Sequence, residues 1–163
     1  MKKFELTAEF VTNVFGKKLF RIKALVAFGD VEKGELGGFI EKEDNLSHDG
    51  NAWVSGNARV FGDARVYGNA RVYGNARVYG NAQVSGDADY AVVKGFGRCF
   101  RTTTFFRCKD KILRVQCGCF YGDLAQFREI VKKTHGDSKY AKEYLAIADL
   151  MELHFSDECG GEQ

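Results

Sequence analysis

Between residues 50 and 88 one six-residue phrase is written seven times, and no other feature limits the possible folds so sharply. Glycine recurs at 50, 56, 62, 68, 74, 80 and 86, with asparagine or aspartate after each. Alanine follows at 52, 58, 64, 70, 76, 82 and 88, and valine at 54, 60, 66, 72, 78 and 84. No position slips. Such fixed self-similarity marks a stacked repeat architecture. Within N-A-R-V-Y-G, alanine and valine alternate with arginine and tyrosine, the period-two pattern of a short strand with one buried face. Alanine and valine point inward; arginine and tyrosine point outward. Gly-Asn or Gly-Asp supplies each corner, because both residues accept backbone conformations that others resist. A helix is excluded, since at about 3.6 residues per turn a six-residue period smears the valines around the cylinder.

The phrase V-Y-G-N-A-R resembles the hexapeptide repeat of left-handed parallel β-helices. In that family three hexapeptides make one triangular coil, so the resemblance implies that the chain superimposes every eighteenth residue over 50–89. Trp53, Arg71 and Asp89 then share one outward column, Phe61 stacks under Tyr79, and Arg59 under Arg77. The ends of such a stack need caps, because terminal strands expose unpaired backbone groups. Upstream, Gly38 lies twelve residues before Gly50 and Ile40 twelve before Ala52, which carries the register back. Lys42 and His48 fall at valine positions, so this first coil packs imperfectly, with His48 as an end-cap residue. The phrase "ALVAFGDVEKGELGGFIEKEDNLS" followed by "GNAWV" resembles the start of small hexapeptide-repeat proteins encoded by phages and prophages, several of which carry a transferase label. The resemblance extends to "RTTTFFRCKDKILRVQCGCFYG" and to the helical tail.

The expected fold is mainly β with C-terminal α. A short left-handed parallel β-helix of about two to three coils carries an N-terminal β cap, a small β-hairpin region and two C-terminal helices. The expected divisions are an N-terminal β segment and entrance cap (1–44), the repeat (45–89), a basic β appendage (90–121), a two-helix region (122–156) and a flexible tail (157–163). "VFGKKLFRI" reads as a hairpin around Gly16 and Lys17. "TTTFFRC" and "ILRVQCGCF" read as two strands joined by a "KDK" turn. Asp123 with Gln126 forms a capping box; Leu124, Phe127, Ile130 and Val131 make a buried stripe, and Gly136 ends the helix. Tyr140, Tyr144, Ile147, Met151 and Phe155 line one side of a second helix.

Composition removes several function classes. Apolar residues make up 45 %, enough for a core, and a net charge of +2 is too small to argue nucleic-acid binding. Glu5 and Glu9 interrupt what would be the apolar part of a leader, and no run reaches the ~18 apolar residues of a membrane helix. The reading is a soluble protein of the host-cell cytoplasm, with no membrane partner. Five cysteines with no leader read as reduced thiols. The spacing of Cys99, Cys108, Cys117 and Cys119 matches no common zinc pattern, so no metal is expected, and Cys117 and Cys119 belong to one core-facing side of a strand.

Cations crowd one segment: Lys94, Arg98, Arg101, Arg107, Lys109, Lys111 and Arg114 against the single acid Asp110. Exposed amides, hydroxyls and arginine forks recognise phosphate. The candidate anion or nucleotide site is therefore Lys94, Arg98, Arg101, Thr102, Thr103, Thr104 and Arg107. The candidate protein interface is the outer repeat face: Arg59, Phe61, Arg65, Tyr67, Arg71, Tyr73, Arg77 and Tyr79, since tyrosine and arginine are enriched at hot spots. None of His48, His135 and His154 projects from the coils as the general base that CoA-dependent acyltransfer needs. No catalytic residue and no cofactor are expected. The expectation is a non-enzymatic, dimeric or trimeric binder of phage type, engaging a host defence protein or sequestering a nucleotide signal. An acyltransferase and a purely structural oligomer are the alternatives.

Overall fold

A two-residue strand bearing one buried valine cannot stand alone, and the chain meets this by stacking like on like. The computed structural model describes residues 2–13, 15–85, 89–118 and 120–156. The last repeat corner at 86–88, the strand face of Cys119 and the tail 157–163 lie outside the described residues.

The chain begins with an antiparallel hairpin, β1 (Phe4–Thr12) and β2 (Lys18–Ala24). Asn13 Oδ1 closes its turn by accepting from the amides of Phe15 and Lys17 (2.9 and 3.0 Å), and Gly16 takes φ 79°. β3 (Leu36–Ile40) pairs antiparallel with β2 and then parallel with the repeat. The repeat follows as β4 (Trp53–Val54), β5 (Arg59–Val60), β6 (Arg65–Val66), β7 (Arg71–Val72), β8 (Arg77–Val78) and β9 (Gln83–Val84). β4 pairs with β7, β5 with β8 and β6 with β9, all in parallel and each eighteen residues apart. The six valines 54 to 84 are 0 % exposed, and each such side chain contributes about 1.5–3 kcal/mol by burial. Phe61 stacks on Tyr79 as expected, with centroids 4.6 Å apart and rings 6° from parallel.

The entrance layer keeps a different register from the one expected. Ile40 pairs with Val60 and Leu46 bridges Val66, twenty residues apart rather than eighteen. Ile40 and Leu46 therefore fill the valine columns. Lys42 and His48 do not: Lys42 is exposed against Asp63, and His48 stacks on Phe4 (4.2 Å) at the end of the stack. The physical reason is apolar volume, since a two-residue slip seats an isoleucine and a leucine where the repeat spacing seats a lysine and a histidine.

Several outward residues are covered. Trp53 is buried under Phe28 (5.3 Å, edge-on), and Phe61 lies beneath Phe15, Leu19 and Phe39 of the hairpin sheet. The expected Trp53–Arg71–Asp89 column does not form as a unit. Arg71 pairs with Asp30, while Asp89 accepts from Ser85 and faces Arg107 (3.4 Å).

Past the repeat, the expected hairpin is a four-stranded antiparallel sheet. β10 (Tyr90–Phe96), β11 (Arg101–Arg107), β12 (Leu113–Cys117) and β13 (Phe120–Asp123) run in chain order, so β10 is an edge. Alternation along β11 serves two cores at once. Phe106 and Cys108 join the solenoid interior, whereas Phe105 joins the helical core. α1 (Leu124–His135) starts on the Asp123/Gln126 capping box and ends at Gly136; α2 (Lys139–His154) starts on Ser138. Phe127 and Val131 are buried against Tyr144, Ile147 and Met151, but Ile130, expected in the buried stripe, is 37 % exposed.

Candidate functional site

The basic segment does not form one site. Its sheet caps the exit end of the solenoid, and the cap divides the expected anion set among five environments. Thr104 and Thr103 are 0 % exposed. Thr104 Oγ1 accepts from the Arg77 amide (3.2 Å), and Thr103 Oγ1 donates to Cys117 Sγ (3.2 Å). Neither hydroxyl is open to a ligand, because strand alternation turns each into a core. Arg107 reaches Asp89 and donates to the Phe155 carbonyl (3.1 Å). Arg114 is held in a two-pronged pair with Asp110 (2.9 and 3.0 Å), which keeps the Asp110 carboxyl below its ordinary range. The remaining cations separate. Lys94 and Thr102 border a groove of about 410 Å³ between β10 and the repeat corner at Tyr73–Asn75. Arg98 and Arg101 border a second groove, of about 350 Å³, between the sheet and α1.

The second groove is built by a constrained loop. Gly97 (φ 77°) packs so closely on Tyr144 that a Cβ there would meet its ring at 2.5 Å, and the Gly97 amide donates to Glu143 (2.9 Å). Phe100 has φ 52°, a left-handed conformation uncommon outside glycine. This turn carries Arg98 and Cys99 out at the rim. Arg101 lies along Gly118, where any side chain would collide with its guanidinium. Phe120, Phe127 and Val131 form an apolar wall, with His135 and Tyr144 at the far side. The Tyr144 hydroxyl donates to the Phe96 carbonyl (3.1 Å) and sits 3.9 Å from Cys117 Sγ. Burial first, and the neighbouring Cys117 second, push its ionisation well above the ordinary tyrosine range, so it stays a neutral donor.

Arg98 and Arg101 have no carboxylate within ion-pair reach among the described residues, whereas Arg21, Arg71, Arg107, Arg114 and Arg128 all do. Guanidiniums with no acidic partner among the described residues, beside apolar side chains, are the kind of groups that recognise an anion with a flat or apolar body. Sequence reading found the two arginines. It missed Phe120, Phe127, Tyr144 and His135, which come from three separate elements and share no local pattern.

The outer repeat face is narrower than expected as a binding surface. Phe61 is buried and Tyr79 half-buried against Phe61, Phe106 and Tyr121, its ionisation pushed up to about 12 by burial. Arg71 is engaged by Asp30. Arg59 and Arg77 stack as expected, partly buried, and burial with the like charge of Arg77 lowers the Arg59 ionisation. Arg65, Tyr67 and Tyr73 remain exposed.

The repeat matches the family model described as YdcK Beta solenoid repeat in three overlapping segments, residues 52–68, 64–80 and 70–86. This makes the central segment a β-solenoid repeat. No curated protein matches the chain.

Proposed function

We propose that this β-solenoid chain is a non-enzymatic binding protein of phage or mobile-element type that sequesters an anionic host signal, a nucleotide, in the groove of Arg98 and Arg101. The observation that carries the reading is the pair itself: two guanidiniums without an acidic partner among the described residues, beside the wall of Phe120, Phe127 and Val131. A base lies against such a wall, and its phosphates take the arginine forks. The frame is read as a short left-handed parallel β-helix, supported by the eighteen-residue pairing and by the hexapeptide resemblance. The phage setting and the defence role rest on the resemblance of the N-terminal and basic segments alone.

The test is thermal unfolding against cyclic and linear nucleotides, NAD-derived compounds and acetyl-CoA. A ligand at ~100 times its dissociation constant stabilises by roughly 2.7 kcal/mol. The expected result is a nucleotide hit that Arg98→Ala/Arg101→Ala abolishes. A hit that survives this double replacement, or silence across the panel, overturns the site. Acetyl-CoA turnover lost in His135→Ala makes the protein a transferase instead.

A further inference from the structure

The exit cap covers the solenoid unevenly. Within the repeat each glycine corner is roofed by the next layer: Gly50 by Gly68, Gly56 by Gly74, Gly62 by Gly80. At the exit, Gly68 meets Ser85 and Gly80 meets Tyr121, but a Cβ on Gly74 would meet nothing within 4 Å among the described residues. The main chain is bare at the same place. One layer earlier, the Ser55 amide donates to the Val72 carbonyl (2.8 Å) and the Asn57 amide to the Gly74 carbonyl (3.0 Å). Their counterparts, the amides of Tyr73 and Asn75, have no protein acceptor among the described residues. Beside them runs the edge strand β10, whose ladder is formed with β11 alone. Lys94 and Thr102 stand on the opposite wall, and no acid among the described residues lines the groove. Tyr73 is 63 % exposed at its mouth.

We propose that this bare corner docks an extended acidic peptide, added as the next strand against Tyr73–Asn75. Donor spacing decides the class of ligand. In the layer above, the equivalent amides bind the carbonyls of Val72 and Gly74, two residues apart where the strand passes into its glycine corner. The Tyr73 and Asn75 amides thus suit two main-chain carbonyls of one peptide, as their counterparts do. Main-chain bonds supply the attachment, and the side chain facing Lys94 supplies the preference for acid. A second copy is disfavoured, because groove against groove sets Lys94 against Lys94. Docking here shares no residue with the Arg98/Arg101 groove and stands or falls separately from the nucleotide reading.

The probe is a short fluorescein-labelled peptide of alternating valine and glutamate, with lysine in place of glutamate as its control. Anisotropy titration of the full chain is expected to show saturable binding of the acidic peptide, unchanged in Arg98→Ala/Arg101→Ala. Lys94→Glu lies on the exposed edge; it is expected to weaken acidic-peptide binding by roughly tenfold and to admit the basic control. Amide exchange at Tyr73 and Asn75 is expected to be fast in the free chain and to slow when the peptide binds. Absence of saturable binding, indifference to Lys94→Glu, or unchanged exchange at both amides overturns the proposal. Protection of those amides in a dimer without peptide overturns it in favour of a second copy.

Discussion

The two ends of the solenoid are closed to different degrees. In the rows that join one layer to the next, amides of the earlier layer reach carbonyls of the later one, as Ser55 does Val72 and Asn57 does Gly74. At those rows the first repeat layer is left with carbonyls and the last with amides, while within the strands bonds also run the other way, as the parallel register of Trp53 with Arg71 and Val54 with Val72 requires. At the entrance, donors answer the carbonyls. Lys3 Nζ donates to Gly50 and Ala52 (3.3 and 2.7 Å), and Asn45 Nδ2 to Gly62 and Ala64 (3.2 and 2.9 Å). The amides of Phe39, Glu41 and Ser47 reach Ala58, Val60 and Val66. At the exit, acceptors answer part of the amide row, Ser85 serving Asn69 and Thr104 serving Arg77, and donors answer carbonyls as well, the Lys109 amide reaching Asn81 (2.8 Å) and the Tyr90 hydroxyl reaching Arg71. The entrance is sealed, whereas the exit is plugged by side chains and leaves one corner open. A surface that folding has already satisfied offers a partner little, which is the ground for proposing the open corner as a docking site.

Removing the exit plug should have the largest effect. Phe106 is fully buried at the foot of the stack, and Phe106→Ala is expected to cost about 3–5 kcal/mol in chemical denaturation. A loss below ~1 kcal/mol would mean that the cap sheet does not close the interior.

The entrance comes next. Lys3→Met strips one buried and one partly buried carbonyl of their donor and is expected to cost about 1–3 kcal/mol. This site also predicts a pH dependence. Burial, with a smaller contribution from Arg71, lowers Lys3 from its ordinary 10.5 to about 8, while Asp49 opposes the shift. Above about 8 the folded chain has released a proton that the unfolded chain holds until about 10.5. Stability from this group therefore rises with pH across that window and is lowest below it. The neutral amine keeps two N–H donors for the two carbonyls. The stability difference between the native chain and Lys3→Met is expected to widen from pH 8 to 10.5; a flat difference would show that Lys3 is solvated.

The smallest effect tests the exit amide row. Thr104→Val preserves shape but leaves the Arg77 amide without its acceptor, at about 1 kcal/mol. An unchanged midpoint would mean that water serves this amide, and the contrast between the two ends would weaken.

Legibility followed the range of the forces involved. The hairpin at Gly16, the Asp123/Gln126 box and the Gly136 stop were readable because each is decided within a few residues. The Phe61–Tyr79 and Arg59–Arg77 stacks were readable because strict periodicity turns a distant neighbour into simple arithmetic. The entrance register was not, since Ile40 and Leu46 slip by two residues to fill a column whose needs are set by Val60 and Val66. The anion set was misread for a related reason. Thr102, Thr103 and Thr104 look alike in sequence, yet alternation sends the latter two into separate cores and leaves the first in a groove.

By itself the sequence determined the repeating unit, its inward valines, its glycine corners and the boundaries of the first helix, because a six-residue period and local capping admit few other solutions. Tertiary structure alone decided which outward residues stay outward, and which cations lose their acidic partners. It also decided which corner of the stack stays uncovered. Those outcomes depend on how sheets from opposite ends of the chain land on the solenoid, and no spacing within the repeat encodes where a cap stops.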